Sequence, residues 1–155
     1  MVEAPQRTLG FLLHDAARLL RKRFEQNARD LGLTRSQWQV LAHLAEHEGI
    51  HQGGLAEILE VEPITLGRIL DKLERAGFVE RRPHAKDRRI WLLFLKPKAR
   101  PVLIRMREIG AATRAEALEG VSEQDRERLI RVLSTMKSNL IGATAADDER
   151  SIRHG

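Results

Sequence analysis

The helical hydrophobic period of the chain is interrupted once, and that interruption limits the folds open to it. From Pro63 to Gly77 the apolar residues Leu66, Ile69, Leu70 and Leu73 follow the i, i+3, i+4, i+7 pattern of an amphipathic helix. From Phe78 the period shortens, and Phe78 to Arg82 and Arg89 to Leu95 read as two strands. Pro83, His84, Ala85, Lys86 and Asp87 lie between them, and their turn chemistry predicts an antiparallel hairpin with a basic tip.

Helical period governs the rest. Residues 11–31 place Leu13, Ala17, Leu20, Phe24, Ala28 and Leu31 at spacings of three and four, the stripe of a long first helix that Gly32 ends. Thr34 with Gln37 has capping-box spacing, and Trp38, Leu41, Leu44 and Ala45 mark a second helix. Leu55, Ile58 and Leu59 mark a short third. Pro63 suits the first turn of the fourth, where a missing N–H costs no intrahelical bond, and Gly77 suits its end. Pro97 opens a fifth helix striped by Val102, Met106, Ile109, Thr113 and Ala117, which Gly120 stops. Ser122 with Asp125 caps a sixth, striped by Leu129, Val132, Leu133, Met136 and Leu140. From Gly142 the apolar content falls, so a disordered tail is expected over 142–155.

Charge is concentrated where the period changes. Residues 62–100 carry eleven Lys or Arg against five acids, whereas the rest of the chain carries sixteen against seventeen. The whole positive surplus therefore lies on the fourth helix, the hairpin and the start of the fifth helix, as expected of a surface that meets phosphates. A merely solvated basic face is the alternative. With 155 residues the chain has room for one domain or two small lobes, hence for one function. The absence of cysteine removes disulfides and thiolate metal sites and agrees with a cytoplasmic location. Met1 to Gly10 contain no signal-peptide core. No Ser-His-Asp order, phosphate-binding glycine loop or paired-carboxylate context appears, so no enzyme and no cofactor is expected.

Three helices, the last one basic on its free side, followed by a basic hairpin describe a winged helix-turn-helix, in which the last helix fits the major groove and the hairpin approaches the minor groove. The fold class expected is mainly α with a small β hairpin. Arg68 is the foremost candidate for a base or phosphate contact, since a guanidinium can pair two guanine acceptors or grip a phosphate. Pro63, Ile64 and Thr65, at the helix start, can touch base edges and the thymine methyl. Lys72 and Arg75 follow on the same face as phosphate clamps or as ordinary exposed side chains. Lys86, Arg88 and Arg89 supply the tip.

The stretch LGRILDKLERAGFVERRPHAKDRR, Leu66 to Arg89, resembles the MarR/SlyA family of bacterial transcription regulators. The resemblance extends in pattern from about Leu9 to Leu140. It implies a winged lobe over 33–96, dimerisation helices over 9–32 and 97–141, and a homodimer that binds a pseudo-palindromic double-stranded operator, as a repressor in the first instance. The apolar stripes of the long helices agree, because one chain offers them too little partner surface. By resemblance, Asp87 braces the wing through a guanidinium pair while Arg88 or Arg89 enters the minor groove; a simple turn-former is the other role open to Asp87. One departure stands out: Ile90 to Leu95 are apolar on both faces, so Leu93 and Leu95 are expected in the core and the rest of this strand needs a cover.

Many members of that family respond to small phenolic or anionic compounds. His14 and Arg18, one turn apart on the first helix, and Trp38 could line such a cleft, unless they are surface and core residues. His43 and His47, with Glu46, Glu48 and His51 nearby, form a weak metal face of only two aligned ligands. The competing function is a winged-helix module that binds protein rather than DNA.

Overall fold

The computed structural model describes residues 8–154. Met1–Arg7, which include most of the segment read for a signal peptide, and Gly155 of the expected tail lie outside the described residues. The chain divides into two compact units, one ending at Arg114 and the other beginning at Ala115.

In the first unit α1 spans Leu9–Asn27 and gives way to a 3-10 turn at Arg29–Leu31, so the helix expected over 11–31 is broken one turn early. Ala28, at the break, is buried, and the side-chain amide of Asn27 donates to Thr113 Oγ1 at 3.0 Å. Gly32 then turns the chain at φ 66°, a left-handed conformation that glycine adopts without steric cost. Thr34 and Gln37 form the reciprocal capping box expected of them and start α2, Arg35–Glu46. α3 is Gln52–Leu59, and after three intervening residues Pro63 opens α4, Pro63–Arg75. β1, Val79–Pro83, pairs antiparallel with β2, Trp91–Leu95, in the register Val79↔Leu95 to Pro83↔Trp91. The strands are thus shifted from the expected 78–82 and 89–95: Arg88, Arg89 and Ile90 belong to the tip, where Ile90 N–H donates to the Asp87 carbonyl. α5 runs Ala99–Ala117.

The core is built by periodicity. Leu66, Leu70 and Leu73 of α4 are fully buried against Val40, Leu41 and Leu44 of α2, Leu55 of α3, and Val79 and Leu93 of the hairpin. Leu93 therefore faces the core as expected, with Leu95 packed against it. The free edge of β2 is covered by the loop before α3: Gly49 N–H donates to the Leu93 carbonyl at 2.8 Å, Leu93 N–H to that of Ile50 at 2.9 Å, and His51 bridges Leu92. This isolated bridge with its flanking hydrogen bonds consumes backbone groups that would otherwise invite another chain. Phe94 lies against Gly49, while Trp91 stays largely exposed.

In the second unit Gly120, at φ 78°, precedes α6, Glu123–His154. Arg126 Nη2 and Nε donate to the carbonyls of Leu118 and Val121 in the preceding turn. The disordered tail expected over 142–155 is instead helical as far as His154. Ala143, Ala145 and Ala146 are strong helix formers, Thr144 donates back to the Leu140 carbonyl at 2.8 Å, and Asp147 stands one turn before Arg150. Low apolar content removes the incentive to bury this segment, not its helical propensity.

Candidate nucleic-acid interface

α4 is fixed at both ends. Pro63 supplies its first turn, and Lys98 Nζ donates to the Ala76 carbonyl at 2.6 Å while lying 4.9 Å from the Phe78 ring centroid, a cation at the negative end of the helix. With Leu66, Leu70 and Leu73 turned inward, Pro63, Ile64, Thr65, Arg68, Lys72 and Arg75 are all exposed. Ile64 is 68% exposed, an apolar group held in solvent next to the helix start. Thr65, Arg68 and Lys72 face Thr34, Ser36 and Gln37 of the α2 start across a shallow groove of about 310 Å³. That α2 rim was not singled out in the sequence, although its capping box had marked the place. Arg75 Nε folds back onto the Asp71 carbonyl at 3.2 Å, whereas the side chains of Arg68 and Lys72 have no hydrogen bond or ion pair among the described residues.

The acids of this region are turned to internal use. Arg81, 19% exposed on β1, binds both Asp71 and Glu74 of α4, and its backbone N–H donates to Glu74 Oε2 at 3.2 Å. The Arg81 hydrogen bond holds the Asp71 carboxyl below the ordinary carboxylate range. On the outer face of the hairpin Arg82 pairs with Glu80 at 3.0 and 3.2 Å and lies over the Phe94 ring at 4.1 Å, and this pairing lowers Glu80 likewise. At the tip Arg89 Nε and Nη2 donate to the two oxygens of Asp87 at 3.1 and 3.2 Å, and Arg89 N–H donates to Asp87 Oδ1 at 3.1 Å. The bidentate pair depresses the Asp87 carboxyl, yet the Arg89 side chain remains 91% exposed. Lys86 and Arg88 are exposed beside it with their side chains unpaired among the described residues. Four of the five acids in 62–100 are thus engaged by arginines.

The three residues expected to line a small-molecule cleft do not meet. Trp38 does line one, of about 390 Å³, with its ring 4.7 Å from that of Phe24 and tilted by 54°. His14 and Arg18 are absent from its wall: both are exposed on α1, and Arg18 reaches Asp15 at 3.5 Å. The cations on the wall are Arg107 and Arg114, and Leu20 and Met106 add apolar surface. The two arginines stand seven positions apart, two turns on one face of α5, a spacing that could have pointed to them. The weak metal face also dissolves. His47 Nδ1 contacts the His43 carbonyl at 2.9 Å, His51 Nδ1 caps α3 by accepting from Gly54 N–H, and Glu48 accepts from Leu95 N–H. Among the described residues no three metal-ligating side chains cluster, and no helix is long and apolar enough to cross a membrane.

Comparison with known proteins agrees with this architecture. The family model described as MarR family matches residues 33–91, from α2 to the start of β2. The uncharacterised HTH-type transcriptional regulator YybA of Bacillus subtilis strain 168 is 32% identical over 112 residues, 72% of this chain and 75% of that protein. Among solved structures, transcriptional regulator PA3341 superposes with a TM-score of 0.75 at 35% identity, covering 87% of this chain and 99% of that one. The transcriptional repressor CouR, bound to a 23-mer DNA duplex, gives 0.76 at 26% identity over 88% and 97% of the two chains. The chain belongs to the MarR family of transcriptional regulators.

Proposed function

We propose that the protein is a transcriptional repressor that binds a pseudo-palindromic DNA operator as a homodimer in the cytoplasm. One observation carries this: α4 and the wing tip expose Arg68, Lys72, Lys86 and Arg88 without acidic partners, while the acids between them are taken up by Arg81, Arg82 and Arg89. Such a surface is cationic at short range as well as in formal charge. Arg68 reads or grips a base edge near Pro63, Ile64 and Thr65, and Lys72 and Arg75 clamp phosphates. Arg89, preset by Asp87, enters the minor groove, with Lys86 and Arg88 on the flanking phosphates. CouR, a repressor with DNA in its crystal, supports the same use of a similar fold.

A second copy covers the apolar side chains that each unit leaves exposed, among them Phe11 and Leu19 of α1 and Ile130, Leu133 and Leu140 of α6. Two lobes related by a twofold axis then read two half-sites about 34 Å apart. The cleft beside Trp38 receives a small aromatic anion, stacked on the Phe24–Trp38 pair and neutralised by Arg107 and Arg114, which favours a lobe spacing that cannot reach both half-sites. Recovery and sequencing of genomic DNA bound by the protein tests the function. A motif with twofold symmetry is expected; enrichment without symmetry or sequence preference contradicts it. For the cleft, benzoate should quench Trp38 emission in a Trp91→Phe background, and Arg107→Ala should abolish the quenching.

A further inference from the structure

The turn of the wing is held by an imidazole. His84 follows β1, and its backbone N–H donates to the Ile90 carbonyl at 2.8 Å, closing the tip. Its Nδ1 accepts from the backbone N–H groups of Lys86 at 3.1 Å and Asp87 at 3.3 Å. Asn and Asp side chains commonly bind turn amides in this way. The imidazole differs in one respect, because Nδ1 accepts only while it carries no proton. The amide of Asp87 is held by His84 and its carboxylate by Arg89, so the two contacts form one chain from the ring to the exposed guanidinium. The charged groups near the ring are those of the tip: Asp87, which interacts with it electrostatically, and the neighbouring Lys86, Arg88 and Arg89. Among the described residues no charged group on a helix interacts with it.

We propose that His84 is a positioning residue for DNA binding: its neutral ring sets the turn that presents Lys86, Arg88 and Arg89, and protonation of Nδ1 releases that turn and weakens the complex. The proposal rests on the wing contacting DNA, as proposed above. Its direction distinguishes it from simple charge effects. Acidification makes the protein more positive and, through phosphate attraction alone, tightens DNA binding, whereas loss of the turn acts the opposite way. The carboxylates do not confuse the interval. Asp71, Glu80 and Asp87 are held below their ordinary values by Arg81, Arg82 and Arg89, so they stay ionised from about pH 7.5 to about pH 5.5.

Wild type, His84→Asn and His84→Ala should be compared on the selected duplex from about pH 7.5 to about pH 5.5 at constant ionic strength. Asn can accept the same two amides and does not titrate, and the other histidines are common to all three proteins. Across that interval wild type should lose about tenfold in affinity relative to His84→Asn. At the upper pH His84→Ala should bind about tenfold more weakly than wild type, and Asn should restore most of the loss. Parallel profiles for wild type and His84→Asn, or an Ala variant that binds as wild type does, would overturn the proposal. Amide exchange in the DNA-free protein separates the brace from the wing contact. Protection of the Lys86 and Asp87 amides, corrected for intrinsic exchange, should fall on acidification in wild type and not in His84→Asn. Protection that behaves so while DNA affinity ignores both pH and substitution defeats the claim on DNA together with the wing contact; protection that does not respond defeats the brace itself.

Discussion

Arg81 decides how the charge of the lobe is felt. It holds Asp71 and Glu74, two carboxylates on the helix offered to DNA, so replacing it with Met frees both to repel phosphate. Arg81→Met should weaken binding to all duplexes, and the Asp71 titration should rise to the ordinary carboxylate range, as read by carboxyl NMR. Arg68→Ala should cost about 1–3 kcal/mol of operator affinity and relax base preference, whereas Lys72→Ala should weaken all DNA alike; fluorescence anisotropy on operator and scrambled duplexes separates the two. Asp87→Ala is the more demanding case. Deleting a negative charge beside DNA should strengthen binding if charge alone mattered, but losing the Arg89 brace should weaken it, and weakening is expected. The sign with pH follows from the same pair. A carboxyl depressed by its partner contributes in full above its unfolded value and loses that contribution as pH falls through the folded one, so the Asp87–Arg89 pair should persist from neutrality until strongly acid conditions. The sequence singled out Arg68, and the resemblance gave Asp87 a guanidinium partner at the tip, but Arg81 and Arg82 stood there only as part of a surplus of charge. Which of them neutralise acids depends on the α4 to β1 packing and on the tip geometry, and neither is a property of residue counts.

At the level of elements, α4 owes its place to three leucines. Leu70 is fully buried among the core residues of α2, α3 and the hairpin, so Leu70→Ala should destabilise the protein by about 2–5 kcal/mol, measured by urea unfolding. Operator affinity of the folded fraction should change far less. Most elements were legible in the sequence because each carried a local signal: the Thr34–Gln37 box, Pro63 and Gly77 around α4, and the leucine period between them. What was illegible depended on distant partners or on propensity without burial. Asn27, the last residue of α1, sends its side chain to Thr113 on α5, and the tip takes up residues counted as strand because Asp87 holds Arg89. The last turns of α6 stay helical with nothing to bury. The expected lining of the cleft failed for a similar reason: Trp38 was found, but its cationic neighbours come from α5, and one-turn spacing of His14 and Arg18 on α1 said nothing about which way that face points.

On the scale of the whole molecule, the exposed apolar side chains of α1 and α6 are the strongest reason to expect a second copy. Sedimentation at micromolar concentration should give twice the 17.7 kDa chain mass. Dimerisation also sets the form of DNA binding, since two lobes double the phosphates neutralised. The central claim, that recognition helix and wing of both protomers engage one duplex together, is tested most directly by the salt dependence of affinity for a twofold-symmetric operator. With about five phosphates neutralised per protomer, the log–log slope should lie near −9, and it should shrink when Lys86 and Arg88 are both replaced by Ala. A slope of about −4 or shallower, unmoved by that double substitution, would mean that a single lobe or a helix alone meets the DNA, and would contradict the account.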